Sequence, residues 1–134
     1  MIRFDSVSKR YPGSGDALSS VSFELAEDEM AFLTGHSGAG KSTLMKLIIL
    51  LERPSLGQVF VNGVNLNRVS SRQVPMVRRG VGVVFQNHHL LFDRTVYENV
   101  ALPLSIAGYS NREATRRVRA ALSKVGLSDK EKKY

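Results

Sequence analysis

Gly35-His36-Ser37-Gly38-Ala39-Gly40-Lys41-Ser42-Thr43 satisfies the pattern G-x-x-x-x-G-K-[ST] in full. Before it, Met30-Ala31-Phe32-Leu33-Thr34 reads as a buried strand. After it, Leu44, Leu47, Ile48 and Leu51 recur at the i, i+3, i+4, i+7 spacing of an amphipathic helix. A loop joining a strand to a helix turns successive backbone N–H groups inward, and the helix start adds unpaired donors and a partial positive charge. The stretch therefore predicts a cradle for phosphates. Gly35, Gly38 and Gly40 let the backbone approach them, and the loop backbone at His36, Ser37 and Ala39 completes the wall, with the His36 side chain facing outward. Lys41 is expected to reach the β- and γ-phosphates of a nucleotide, because a compact ammonium follows charge as it moves between oxygens. Ser42 is expected to place its hydroxyl on Mg²⁺, and Thr43 to add a phosphate contact.

Working outward, Ile2, Phe4 and Val7 mark a first strand that closes at Lys9-Arg10, and Pro12-Gly13-Ser14-Gly15 reads as a turn. Val21, Phe23 and Leu25 alternate with polar residues and predict a second strand buried on one face. The helix opened by Lys41 is expected to run to Arg53, where Pro54 stops it. Gln58–Val61 reads as a strand followed by a tight Asn62-Gly63 turn. Val81 to Phe85 is almost continuously apolar, the pattern of a central strand. Three capping boxes are expected, Ser70/Gln73, Thr95/Glu98 and Ser110/Glu113. The second opens a helix that Pro103 should disrupt. The third opens a helix with Val118, Leu122 and Val125 inward and Gly126 as its stop.

Composition sets the outer bounds. A chain of 134 residues holds one modest domain, and 43% hydrophobic against 23% charged residues is a globular balance. With no cysteine there is neither a disulfide nor a thiolate metal site, which fits a reducing compartment. Arg3, Asp5 and Lys9 interrupt the first residues before a secretory leader's apolar region forms. Residues 1–60 hold six Lys/Arg against seven Asp/Glu, whereas 61–134 hold thirteen against five. Part of that excess, Arg112, Arg116, Arg117 and Arg119, falls in one helical segment and reads as a solvated face. No nucleic-acid partner is expected, since the aromatics do not interleave with the basic residues as stacking platforms do. His88 and His89 are adjacent and would face opposite ways on a strand, with no carboxylate cluster beyond Asp93 to make a metal site.

Two strands ahead of the phosphate loop's own strand, with Tyr11 in the turn between them, resemble the ATP-binding cassette (ABC) ATPase family. The resemblance implies an α/β architecture, the P-loop nucleoside triphosphate hydrolase fold of ABC type with an antiparallel β subdomain. It implies that Tyr11 stacks on the adenine of ATP. It likewise makes Gln86, at the end of Gly82-Val83-Val84-Phe85-Gln86, the family's loop glutamine, which ligates Mg²⁺ and transmits nucleotide state to a partner. Lys41 and Gln86 are then the residues of the catalytic machinery, and Ser42 and Gln86 the metal ligands. His36 within the loop, Asn87 through Val100 and Ala101-Leu102-Pro103-Leu104 resemble the FtsE branch, the bacterial cell-division ATPases. That branch implies an ATPase on the cytoplasmic face of the inner membrane, a homodimer when full-length, and an FtsX-like membrane-spanning partner. Leu90-Leu91-Phe92 lies where the family receives such a partner's coupling helix, and core packing is the other reading of that run.

Family members continue into an LSGGQ-like signature, an apolar strand ending in Asp-Glu and a switch histidine, none of which occurs in these 134 residues. The resemblance therefore predicts an N-terminal part of a longer ATPase, spanning residues 1–134: phosphate loop 35–43, glutamine loop around 86, and the start of a helical subdomain over about 95–126. Such a part is expected to bind nucleotide without turnover, lacking the carboxylate that would act as general base. Two alternatives stand beside the cell-division reading: the ATPase subunit of a lipoprotein-releasing or amino-acid transporter, and a non-hydrolysing, nucleotide-dependent scaffold.

Overall fold

Residues 1–13, 15–87 and 89–134 are described by a computed structural model. Ser14 of the expected turn and His88 of the histidine pair lie outside them. The described chain falls into two units, Met1–Val83 and Val84–Tyr134.

The first unit is organised by an antiparallel hairpin, β1 (Ile2–Tyr11) and β2 (Gly15–Leu25). On its other side β1 pairs with β3 (Leu56–Val61), which turns through Asn62-Gly63 into the two-residue β4 (Val64–Asn65), giving the order β2-β1-β3-β4. Alternation, interrupted by a register shift between Phe4 and Val7 where Ser6 takes φ 46°, decides which face is buried. Phe4, Val7, Leu18, Val59 and Val61 point into the core, and Phe4 stacks on Phe23 at 4.7 Å between ring centroids. Against this face packs α1 (Lys41–Ile48), whose Leu44, Leu47 and Ile48 enter the same core.

Helix α1 ends earlier than the sequence predicts. Leu50 adopts a left-handed conformation at φ 56°, and Leu51 is half-exposed instead of continuing the apolar face. The freed carbonyls of Ile49 and Leu50 accept hydrogen bonds from Arg78 at 3.0 and 2.8 Å, so a side chain does the work of another helical turn. Arg78 lies on the short α2 (Val74–Arg79), before which the Ser70 N–H donates to Gln73 Oε1, one arm of the expected box.

The larger departure concerns the two continuous apolar runs. Residues 30–34 and 81–85 form no strand, and Phe32 and Val84 are 84% and 95% exposed. Both runs carry the composition of strands covered on both faces, but a ladder needs a neighbouring strand to supply donors and acceptors. Among the described residues, every strand belongs to the four-stranded sheet and pairs within it.

In the second unit, α3 (Val96–Ile106) and α4 (Asn111–Lys124) pack on one another, with Ala114, Val118 and Leu122 buried. The Thr95/Glu98 capping box forms in both directions. Pro103 is carried inside α3 and does not end it; the helix runs three residues further, with the Ala107 N–H donating to the Pro103 carbonyl. Ser110 caps α4 by accepting from the Glu113 N–H, but the Glu113 carboxylate turns to Arg116 and Arg117. Val125, expected inward, lies past the helix end and is exposed, while Gly126 takes the left-handed conformation at φ 71°.

Candidate nucleotide site

The phosphate loop enters α1 through Gly40, which sits at φ 86° as the residue preceding the helix. A Cβ there would collide with the Ala17 carbonyl and lie 2.7 Å from Leu18 Cδ2, so only glycine fits between loop and hairpin. Within the loop the Ala39 N–H donates to the His36 carbonyl at 3.2 Å, and Leu44 N–H to the Gly40 carbonyl closes the first helical turn. No side chain among the described residues caps the start of α1, and its first turn carries no acidic residue. Its leading N–H groups and the positive end of its dipole thus face out at the loop.

Lys41 folds back over this loop. Its Nζ donates to the Gly35 carbonyl at 2.6 Å and the His36 carbonyl at 2.7 Å. These are the contacts a cation makes with carbonyl oxygens, and phosphate oxygens are stronger acceptors for the same donors. Ser42 is exposed and Thr43 buried, so the two hydroxyls are not equivalent. His36 is exposed, and as the Nδ1–H tautomer it donates to the Ser37 carbonyl at 2.7 Å, its ring taking no part in the wall of the cradle. Glycine cradle, uncapped helix start and folded lysine together fit a chain of phosphates.

Tyr11 belongs to the same unit and is tied to this loop through the hairpin. Gly40 abuts Ala17 and Leu18, Leu18 pairs with Lys9, and Tyr11 pairs with Gly15 at the open end. The segment after α1 braces that end of β1. The Ser55 N–H donates to the Ser8 carbonyl at 2.8 Å, and the Arg10 N–H donates to Ser55 Oγ at 3.0 Å. Lys9 Nζ donates to Glu52 Oε2 at 2.8 Å and to the Arg53 carbonyl at 2.9 Å, and it stands 4.9 Å from the centroid of the Tyr11 ring. The Tyr11 hydroxyl oxygen is buried and finds no partner among the described residues. Arg10, pointing the other way, pairs with Asp16 at 2.6 Å, a bond that holds the Asp16 carboxyl below its ordinary range. In the sequence Lys9 stands out only as half of a basic pair. The signal that could have found it is the strand's period of two, which puts residues 9 and 11 on one face.

Gln86 belongs to the second unit and lies exposed in a turn after the unpaired 81–85 run. Beyond it, Asn99 on α3 organises the segment that carries Leu90-Leu91-Phe92. Its Oδ1 accepts from the Leu91 N–H at 2.9 Å, and its Nδ2 donates to the carbonyls of Leu91, Arg94 and Thr95. Phe85 and His89 meet edge to face at 4.6 Å. Leu90, Leu91 and Phe92 are all exposed among the described residues.

A phosphate loop leading into a helix that packs on an antiparallel β layer defines a P-loop cassette, and comparison with known proteins agrees. The ABC transporter profile matches residues 18–134, and the chain belongs to the ABC transporter ATPase family. It is 58% identical, over its whole length, to the cell division ATP-binding protein FtsE of Escherichia coli strain K12, and spans 60% of that protein. It is 48% identical over 136 residues to the methionine import ATP-binding protein MetN of Rhizobium meliloti, spanning 38% of it. Among solved structures it superposes on the dimeric ATP-binding cassette MJ0796 bound to ADP and Pi. The TM-score is 0.88 at 31% identity, covering all of this chain and 61% of that one. The P-loop fold of ABC type with an antiparallel β subdomain is thereby established.

Proposed function

We propose that the chain binds ATP through its phosphate loop, as the nucleotide-binding part of an FtsE-like ATPase. The observation that carries this reading is the loop geometry: Lys41 parked on the Gly35 and His36 carbonyls beside an uncapped helix start. When phosphates arrive, the lysine exchanges two carbonyl oxygens for phosphate oxygens, and the N–H groups of residues 38–43 take the rest. Tyr11 stacks on the base. Ser42 and Gln86 are the residues proposed to hold Mg²⁺, whose contribution when bound is to neutralise phosphate charge. Lys41 and Gln86 are assigned to the catalytic machinery.

The whole protein's activity is proposed to be ATP hydrolysis coupled to cell division and septal wall remodelling, with a homodimer as the working form. Support comes from the identity to FtsE and from the likeness to a dimeric cassette. The proposed location is the cytoplasmic face of the inner membrane beside an FtsX-like partner. No helix among the described residues is long and apolar enough to cross a membrane, and the exposed Leu90-Leu91-Phe92 run offers a surface for the coupling helix of a membrane-spanning partner. The similarity to MetN keeps a transport ATPase as the second reading. Titration calorimetry of the 134-residue chain with ATP and Mg²⁺ tests the core claim. Binding is expected, without phosphate release, and Lys41→Ala is expected to weaken it about tenfold or more. Equal affinity in the two proteins would overturn the assignment. Co-purification of the membrane subunit with the full-length protein separates the cell-division and transport readings.

A further inference from the structure

We propose that Lys9 is a positioning residue for the base site, fixing the Tyr11 ring for a purine while anchored to the segment that follows α1. This rests on the reading of Tyr11 as the residue that stacks on the base. The Lys9 side chain is only 12% exposed, so most of it is shielded from water. An ammonium has three N–H donors. Two are taken by Glu52 Oε2 and the Arg53 carbonyl, and the ring of Tyr11, 4.9 Å away, receives the remaining charge. A cation against an aromatic face is a stronger contact when largely shielded from water than when exposed. It holds the ring in one orientation and draws electron density from it, which favours stacking by an electron-rich purine.

The anchor matters as much as the contact. Glu52 and Arg53 lie in the short segment beyond the left-handed turn at Leu50 that ends α1, and α1 begins at the phosphate loop. One helix therefore carries the phosphate cradle at its start and, just beyond its end, the clamp that sets the base-stacking ring. Register contributes too: Lys9 pairs with Leu18, the residue against which Gly40 packs. Removing the ammonium releases the ring and leaves the loop, Gly40 and Lys41 as they were. The base and the phosphates of one ligand are thus held by separable contacts.

Calorimetric titration of the 134-residue chain with ATP and, separately, with inorganic tripolyphosphate tests it. Lys9→Met is expected to weaken ATP binding about fivefold and leave tripolyphosphate within about twofold. Lys9→Arg, which keeps the cation, is expected to restore ATP binding to within about twofold. In a Tyr11→Ala background, Lys9→Met is expected to add nothing. An equal loss for both ligands makes Lys9 a general support of the fold and overturns the proposal. So does unchanged ATP binding in Lys9→Met when Tyr11→Ala weakens it, an outcome that leaves Tyr11 standing alone. If Tyr11→Ala itself leaves the ratio of the two affinities unchanged, the base-stacking reading fails and this proposal with it. Should Lys9→Met not fold, Glu52→Gln loosens the same ammonium without touching the core; a selective loss for ATP is expected, and an unchanged ratio overturns the proposal.

Discussion

Two kinds of apolar stretch in this chain meet opposite fates. In β1, β2 and β3 apolar residues alternate with polar ones, each strand finds an antiparallel neighbour, and Phe4, Val7 and Val59 are buried. The runs 30–34 and 81–85 are more continuously apolar, yet they form no ladder and leave Phe32 and Val84 in solvent. Hydrophobicity states what a segment would gain by burial; pairing depends on a partner strand elsewhere in the chain or in another chain. The chain spans 60% of the length of the FtsE it resembles, and 61% of the dimeric cassette. We propose that partner strands for these runs belong to the whole protein, where the runs would be covered on both faces.

The contrast breaks most sharply at two phenylalanines. Phe4→Ala, in the sheet core, is expected to cost about 3–5 kcal/mol, because it removes a stacked ring and leaves a cavity. Phe32→Ala is expected to change stability by less than about 0.5 kcal/mol and to reduce self-association, since its ring is mostly in solvent. Urea unfolding followed by circular dichroism, with sedimentation for the second variant, measures both. A comparable loss of stability in the two would show that residues 30–34 are packed after all.

Backbone can also be held without a ladder. Residues 66–69 are not extended strand, yet Arg53 donates to the carbonyls of Leu66 at 2.9 Å and Val69 at 2.6 Å. Asn67 reaches back to β3 by accepting from the Val59 N–H and donating to the Gly57 carbonyl. Arg53→Ala is expected to cost about 1–2 kcal/mol by freeing partly buried carbonyls. Hydrogen exchange should quicken at 66–69 while the β1–β2 amides stay protected. Uniform quickening across the unit would mean that Arg53 supports the core as a whole.

These particulars show what could be read from the sequence. The phosphate loop was legible because its chemistry is local: glycines, a lysine and a helix start within nine residues. The Thr95/Glu98 box was legible for the same reason, whereas the roles of Tyr11 and Gln86 rest on the resemblance and are proposals. Lys9, Arg53, Arg78 and Asn99 escaped. Each works through partners brought near by folding: Lys9 reaches Glu52 and Arg53, and Arg78 reaches Ile49 and Leu50. Asn99 closes a loop whose path no periodicity announces. Pro103 misled because a proline removes one donor and crowds one turn, and packing of α3 on α4 outweighs that cost.

In the second unit, local bonds at a helix start stand in for strand pairing. Thr95→Ala removes the hydroxyl that accepts from the Glu98 N–H and donates to the returning Glu98 carboxylate, so a loss of about 1 kcal/mol is expected. Thermal unfolding measures it. Because the Val96 and Tyr97 N–H groups already donate to the Lys133 and Glu131 carbonyls, the helix start should fray without α3 melting. A collapse of α3 helicity would show that the cap, and not the packing, sustains the helix.

The smallest effect is a matter of acid. Hydrogen bonds from Arg116 and Arg117 hold the Glu113 carboxyl down to about 2, and the Thr95 backbone and side-chain donors lower that of Glu98. A carboxyl whose folded value is depressed binds fewer protons than in the unfolded chain, so its contribution is complete above the unfolded value near 4.5 and fades as pH falls toward 2. Glu113 is partly exposed and its Arg116 and Arg117 partners are exposed, so high salt should screen these charge interactions. The second unit is therefore expected to lose a small increment of stability between those two pH values, with Glu113→Gln flattening most of that slope. The sheet core of the first unit, held by Phe4, Val7 and Val59, should show no such slope from this residue. An unaltered acid limb in Glu113→Gln, read from helix content during titration, would move the pH sensitivity to the Glu98 box and leave the Arg116 and Arg117 bonds as solvated contacts without thermodynamic weight.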